Sequence, residues 1–101
     1  MEYSSTQDGT KCEFSFRGKF AFADNDSVRN IIEEFKSSGC SHCAVQLGGL
    51  EEIDSAGLGM LILISDAVKE DGKSIEFCSP NGQPQKMLEI SKFADIITIK
   101  P

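Results

Sequence analysis

The segment E-E-I-D-S-A-G-L-G-M-L-I-L-I, residues 51–64, places an acidic residue and a hydroxyl directly before a nearly continuous apolar run. Residues of these types can do three kinds of chemistry. Ser55 could be a nucleophile, Asp54 or Ser55 could cap a helix, or Ser55 could carry a phosphate. The surrounding residues bear on each possibility.

Known nucleophile and phosphate-binding motifs do not fit this segment. The nucleophile elbow G-x-S-x-G would need glycine where Ile53 stands, and His42 is the sole histidine that could act as a base. A dinucleotide-binding loop that begins at Gly57 would need a glycine in place of Ile62, and the G-K-[ST] of a P-loop is absent. A serine hydrolase is therefore the least favoured function, and His42 is interpreted as an ordinary residue at a strand edge.

Length and composition restrict the class of protein. A chain of 101 residues, 40% of them apolar, suffices for one globular domain with its own core. The net charge of −6 argues against nucleic acid and anionic membranes as partners, because both are bound through an excess of Lys and Arg. The N-terminal residues lack the pattern of an export signal, and no apolar run approaches the roughly 20 residues of a membrane span. We expect a cytoplasmic protein.

The cysteines are expected to be free thiols, since no export signal is present. They are Cys12, Cys40, Cys43 and Cys78. Cys40 and Cys43 have C-x-x-C spacing, but no second ligand pair follows, so neither a metal site nor another cofactor is predicted. A thioredoxin-type redox pair is not indicated either, because such a pair normally begins a helix and this one leads into a strand.

Periodicity predicts the elements that position Asp54 and Ser55. The polar residues 1–10 are predicted to be a flexible tail, and the domain is predicted to span 11–101. The predicted strands are residues 12–17, 19–22, 43–47 and 74–78. The predicted helices begin near Asp26, Ser55 and Lys86, and Ile96, Ile97 and Ile99 form a last strand or the end of a helix. This order predicts an α/β fold, a mixed sheet of four to five strands with about three to four helices.

The helix that begins at Ser55 carries two apolar stripes when residues are placed about 100° apart. The first stripe is Leu58, Leu61, Ser65 and Val68, and the second is Ala56, Met60, Leu63 and Ala67. Only one stripe can lie on the sheet, so the other packs under a neighbouring helix or contacts a partner protein.

Two features of the helix start suit a protein contact. Gly57 and Gly59 would let a partner's backbone approach closely. The helix dipole would tolerate a phosphate on Ser55, whereas a docked acidic or apolar partner would not. Modification of Ser55 could therefore change binding without changing the fold.

The motif I-D-S-A-G-L-G, residues 53–59, resembles the centre of the STAS domain of bacterial anti-sigma factor antagonists. The likeness covers nearly the whole chain in element order, from the strand before R-G-K-F to S-P-N-G-Q-P-Q-K-M-L-E-I-S-K-F, which resembles the family's third helix and its approach. It implies a single-domain STAS-like fold and a non-enzymatic, partner-switching regulator. A kinase that is also an anti-sigma factor would phosphorylate Ser55, the unphosphorylated form would bind that kinase, and a metal-dependent serine phosphatase would reset it.

The resemblance also implies where the partner binds. The expected contact residues are Asp54, Ala56, Gly57, Leu58, Gly59, Met60 and Leu63, with Phe22, Asp24 and Asn25 from the preceding loop. Family members often carry an acidic residue where this chain has Ala21, and Asp24 is the candidate replacement. The alternative function is a STAS-type module that binds a nucleotide or lipid with the same helix start as an anion site. A second alternative is an accessory to lipid-transport proteins, beside which some stand-alone STAS domains act.

Overall fold

The computed structural model describes residues 1–101 and contains one five-stranded sheet and three α-helices. The strands are β1 (Glu2–Asp8), β2 (Lys11–Phe20), β3 (His42–Ile53), β4 (Ser74–Cys78) and β5 (Ile99–Lys100). The helices are α1 (Asn25–Ser38), α2 (Ser55–Glu70) and α3 (Gly82–Ile90), with 3₁₀ turns at Phe22–Asp24 and Phe93–Asp95. The predicted α/β class and mixed sheet are confirmed, and no helix has the length and apolarity to cross a membrane.

The strands lie side by side in chain order, β1-β2-β3-β4-β5. Strand β1 runs antiparallel to β2, and the other neighbouring pairs are parallel. Because parallel strands end at the same edge of a sheet, the segments that follow β2 and β3 are neighbours. The N–H of Asp54 accordingly donates to the Phe20 carbonyl over 3.2 Å.

Alternate residues of the sheet face the helices and form the core. Val45 and Leu47, in the predicted strand 43–47, are 0% and 1% exposed. One continuous apolar cluster joins the inner face of the sheet to the helices, with large buried members Phe14, Phe16, Phe20, Phe35, Ile31, Leu61, Ile64 and Phe77. The alternation of the strands turns Glu13, His42, Gln46 and Glu76 to the other, polar face.

The N-terminal ten residues are not a flexible tail. Residues 2–8 pair with β2 along their whole length, from Glu2 opposite Arg17 to Asp8 opposite Lys11. Nearly all of this edge strand is exposed on both faces, so it needs no alternation of apolar and polar residues. Strands were predicted from the alternation of apolar and polar residues, and residues 2–8 lack this alternation.

Two other predicted boundaries shift. The two strands predicted on either side of Gly18 are one strand, β2, in which Gly18 adopts φ +88° at a register shift instead of ending the strand. Helix α3 begins at Gly82, four residues before the predicted Lys86, because Pro84 fits a first helical turn, where its missing N–H is not needed.

The prediction of four free cysteines is wrong. Cys12 and Cys40 form a disulfide with their Cα atoms 6.1 Å apart, while Cys43 and Cys78 remain thiols. The fold brings the two partners together because the Thr10 carbonyl accepts hydrogen bonds from the N–H groups of Ser41 and His42. These hydrogen bonds join the residue before β2 to the start of β3. The spacing of the cysteines along the chain could not reveal that Cys12 and Cys40 are neighbours.

Candidate functional site

The start of α2 separates the two roles that the sequence left open for Asp54 and Ser55. Asp54 has an extended backbone, and its Oδ1 accepts the N–H of Gly57 over 2.7 Å, which is helix N-capping. Ser55 is exposed, and its hydroxyl makes no hydrogen bond within the protein. The cap is therefore Asp54, and the Ser55 hydroxyl is free for other chemistry.

The two glycines of the motif lie in different surroundings. A Cβ on Gly57 would lie 2.7 Å from Ile53 Cγ1 and 2.7 Å from the Phe20 carbonyl oxygen, too close for any side chain. A Cβ on Gly59 would meet nothing within 4 Å. Gly57 thus lets the first turn of α2 pack on the ends of β2 and β3, whereas nothing inside the protein requires Gly59.

The 3₁₀ turn Phe22–Asp24 lies beside this helix start and presents an exposed aromatic ring. The Phe22 side chain is 72% exposed. Asp24 fixes the turn, because its Oδ2 accepts the Ala21 N–H over 2.9 Å and its Oδ1 accepts from the Met1 ammonium group over 2.8 Å. The Asp24 side chain is only 13% exposed. It therefore positions the turn, and it does not offer the free carboxylate expected in place of Ala21.

Gln83 of α3 hydrogen-bonds to the last residue of β3, next to the start of α2, and the sequence analysis did not predict it. Its Oε1 accepts the Ile53 N–H over 2.8 Å, and its Nε2 donates to the Ile53 carbonyl over 3.0 Å. This side chain completes the backbone pairing at the last residue of β3, directly before Asp54. Nothing in the sequence distinguishes Gln83 from other polar residues in a first helical turn.

Only part of the predicted contact set reaches the surface. Phe22, Asn25, Asp54, Ser55, Gly59 and Leu63 are exposed, and Ala56 is half-buried. Gly57, Leu58 and Met60 are buried, Met60 at 8% exposure, so they offer little surface to a partner. Helix α2 packs on α1 as well as on the sheet, which is one of the two alternatives predicted for the second stripe, and Met60 of that stripe is buried while Leu63 is exposed.

The surface that remains has an apolar centre and an acidic border. Ser55, Gly59 and Leu63 lie four residues apart on one side of α2, and Leu63 is 50% exposed. We call Phe22, Ser55, Gly59 and Leu63 the α2 face. Exposed carboxylates border it at Asp54, which precedes Ser55, and at Asp66, which follows Leu63 by three residues on the helix.

Two surface clefts could hold small molecules, one next to the α2 face and one away from it. One of about 310 Å³ adjoins Asp54 between the ends of β2 and β3, and Lys19 and Glu52 on its wall form an ion pair 3.6 Å apart. A larger cleft of about 590 Å³ lies between α3 and β5, with Leu88 and Ile99 in its wall. It shares no residue with the α2 face.

Comparison with known proteins identifies the family. The family model of the STAS domain matches residues 4–101. The chain belongs to the STAS domain family. A STAS-domain containing protein of Pseudomonas aeruginosa (strain UCBPP-PA14) is 26% identical to this STAS domain over 92 residues, which is 91% of this chain and 90% of that protein.

Solved structures share the fold of this STAS domain. Protein TM1081 of Thermotoga maritima matches with a TM-score of 0.87 and 18% identity, over 98% of this chain and 86% of that one. The unphosphorylated anti-sigma factor antagonist SpoIIAA matches with a TM-score of 0.74 and 11% identity, over 99% and 87%. The phosphorylated form of SpoIIAA, from Bacillus, gives 0.73 and 11% over 99% and 91%. At these identities the likeness concerns the fold alone.

Proposed function

We propose that this STAS domain is an anti-sigma factor antagonist that binds a serine kinase acting as an anti-sigma factor while Ser55 is unphosphorylated, and that phosphorylation releases it. The supporting observation is the exposed Ser55 hydroxyl, which takes no part in capping although it begins a helix. SpoIIAA, which has the same fold and is an anti-sigma factor antagonist, occurs in phosphorylated and unphosphorylated forms.

In the proposed phosphorylation, this domain provides the attacking hydroxyl and the kinase provides the other reacting groups. The Ser55 oxygen attacks the γ-phosphorus of ATP, the bond to ADP breaks, and the hydroxyl proton leaves to a base. The sole histidine, His42, lies at the far end of the twelve-residue strand β3, and Asp54 Oδ1 accepts the Gly57 N–H, so we assign the base to the kinase. The kinase therefore provides the catalytic groups, and this domain is the substrate. A metal-dependent serine phosphatase hydrolyses the phosphate and resets the domain.

The position of Ser55 explains how one phosphate would end binding. The helix dipole at the α2 start favours the added charge, so the fold is retained. Gly59 follows Ser55 by about 6 Å along the helix, within a Debye length of about 8 Å. A partner that covers Phe22 and Leu63 would have to desolvate the dianion in an apolar contact, which is unfavourable.

The acidic border of the α2 face defines the partner's complementary surface. The exposed carboxylate of Asp66, three residues after Leu63 on α2, favours basic groups around the contact. The exposed ring of Phe22 favours an apolar pocket at its centre. We therefore expect a kinase surface with basic residues around an apolar depression.

The test is phosphorylation by a candidate serine kinase with ATP, followed by intact mass and peptide mapping. One phosphate on Ser55 is expected, none on Ser55→Ala, and normal phosphorylation of the control Ser27→Ala. Calorimetry should then give weaker kinase binding for the phosphorylated protein than for the unmodified one. Equal affinities of the two forms would contradict the switch even if Ser55 is modified.

The small-ligand alternative is supported by the cleft of about 590 Å³ between α3 and β5. Its volume is within the range of small-molecule sites. NMR titration with nucleotides and short-chain lipids tests it. Shifts confined to residues near Leu88 and Ile99 would support ligand binding, and shifts centred on Ser55 would instead favour an anion at the α2 start.

A further inference from the structure

Three of the four cysteines lie together at the end of the sheet opposite Ser55. Cys12 is bonded to Cys40, with 6.1 Å between their Cα atoms. Cys12 also pairs in register with Cys43 on the neighbouring strand. The two cysteines of the C-x-x-C segment are therefore in different states. Cys40 is disulfide-bonded to Cys12, 28 residues away in sequence, and Cys43 is a thiol.

The two bonded sulfurs differ in access. Cys12 lines a surface cleft of about 370 Å³ whose other walls are polar: Ser5, Thr6, Gln7, Glu34, Ser37 and Ser38. Cys12 is 5% exposed, whereas Cys40 is 0% exposed and lines no cleft. A thiol in solvent can therefore approach the bond from one side, toward the Cys12 sulfur.

The third cysteine does not compete for the bond. Burial raises the pKa of the Cys43 thiol to about 12, so this thiol stays protonated near neutral pH. Thiolate, not thiol, attacks a disulfide. The Cys12–Cys40 bond is consequently protected from internal rearrangement although a third sulfur lies beside it.

The surrounding backbone is held together without the disulfide. The Thr10 carbonyl accepts the N–H groups of Ser41 and His42 over 2.8 and 3.2 Å. These hydrogen bonds join the two segments that the disulfide joins. Opening the bond therefore leaves the start of β2 paired with the start of β3, and the reduced protein keeps its fold.

We propose that Cys12–Cys40 is a reversible thiol–disulfide exchange site that reacts with dithiols through the cleft at Cys12. A dithiol thiolate attacks the Cys12 sulfur, forms a mixed disulfide and releases Cys40 as a thiolate, which takes a proton. The second thiolate of the dithiol then attacks its own mixed-disulfide sulfur and releases Cys12, which also takes a proton. The protein gains two electrons and two protons, the dithiol becomes a disulfide, and an oxidised dithiol reverses the reaction.

The first experiment uses the native full chain and dithiothreitol. Samples equilibrated over a series of reduced-to-oxidised dithiothreitol ratios are quenched in acid and alkylated under denaturing conditions. The number of alkylated cysteines should rise from two, Cys43 and Cys78, to four, and return on reoxidation, while circular dichroism stays native. Reduction that occurs only after denaturation, or a count of four without any reductant, would overturn the proposal.

The second experiment tests the direction of attack with a matched pair of variants. Oxidised glutathione should form a mixed disulfide with Cys12 in Cys40→Ser, and none with Cys40 in Cys12→Ser, because only Cys12 lines the cleft. If either variant fails to fold, peptide mapping of the mixed disulfide that reduced glutathione forms with wild type, trapped in acid, gives the same answer. Glutathione found on Cys40 would refute attack at Cys12.

The third experiment closes the cleft without altering a cysteine. Ser37 is exposed on α1 and lines the cleft, so Ser37→Trp should slow reduction by about tenfold or more, since access controls the rate of exchange. Ser91→Trp, at an exposed position outside this cleft, is the control and should leave the rate unchanged. Equal rates for both variants would show that the thiol enters by another path.

Discussion

At the scale of single residues, the start of α2 divides capping and modification between two neighbours. Asp54 satisfies a helix N–H that would otherwise lack a partner, so the helix does not depend on Ser55. A phosphate, or its removal, therefore acts on the surface of the domain and leaves the cap in place. Under the proposed function, this separation would let modification of one serine change binding while the fold persists.

The first prediction concerns the cap. Asp54→Ala should lower the free energy of unfolding by about 0.5–2 kcal/mol, because Gly57 loses its hydrogen-bond acceptor. Ser55→Ala should change it by no more than about 0.5 kcal/mol, since the hydroxyl has no partner. Urea denaturation measures both. A Ser55→Ala cost as large as that of Asp54→Ala would mean that Ser55 is the cap.

The second prediction concerns the two glycines. Gly57→Ala should destabilise the domain by about 1–3 kcal/mol, because the new Cβ would overlap Ile53 and the Phe20 carbonyl. Gly59→Ala should stabilise it by about 0.5–1 kcal/mol, since its Cβ meets open space and alanine favours the helix. If a partner's backbone approaches Gly59, the same change weakens binding, which calorimetry with the kinase would detect.

The third prediction concerns the polar face of the sheet. His42 Nε2 lies 2.7 Å from Glu76 Oε1, and this hydrogen bond lowers the pKa of Glu76 from its usual 4.5. A lowered pKa in the folded state stabilises the protein above pH 4.5, and this contribution is lost as the pH falls through the folded value. Wild type should thus lose more stability below pH 4.5 than Glu76→Gln. Parallel urea curves across pH for the two proteins would refute this.

At the scale of elements, the sequence predicted where α2 begins, but it did not predict which sides of the helix are buried. Its predicted start at Ser55 is confirmed, and it ends at Glu70. Met60 and Ile64 are nevertheless buried beside Leu61 and Val68. Periodicity shows that apolar residues lie on two sides of a helix, but it cannot show that α1 covers one of them, because that packing depends on distant parts of the chain.

The fourth prediction follows from the two sides of α2. Met60→Lys should destabilise the domain by about 2–4 kcal/mol, because it buries an unpaired charge. Leu63→Glu should change stability by about 0.5 kcal/mol or less, since Leu63 is half-exposed, but should weaken kinase binding. Denaturation and calorimetry separate these effects. A destabilising Leu63→Glu would show that the α2 face is covered within the domain.

The residues of the α2 face that could be predicted from the sequence are those identified by a local pattern. Ser55, Gly59 and Leu63 follow from a motif and a helical repeat within one segment. Gln83 and the Met1–Asp24 ion pair could not be predicted, because each joins segments far apart in sequence. Strand β1 was missed for a related reason, since its pairing with β2 leaves no apolar pattern.

At the scale of the whole molecule, the disulfide joins positions separated by 28 residues. The fifth prediction is that reduction lowers the free energy of unfolding by about 3–4 kcal/mol, because the unfolded chain regains the entropy of a loop of this size. Urea curves with and without dithiothreitol measure the difference. Cys12→Ala with Cys40→Ala should match the reduced wild type. A stability unaffected by reductant would contradict a disulfide in the folded protein.

The outer edge of β1 has a consequence for self-association. Its backbone N–H and C=O groups have no strand beside them, and such an edge can recruit another chain into a filament. If two copies met there antiparallel about Ser5, Glu2 of one would oppose Asp8 of the other at both ends of the contact. Like charges directly opposite destabilise a strand pair. The acidic residues at the two ends of β1 therefore disfavour this antiparallel pairing of two copies.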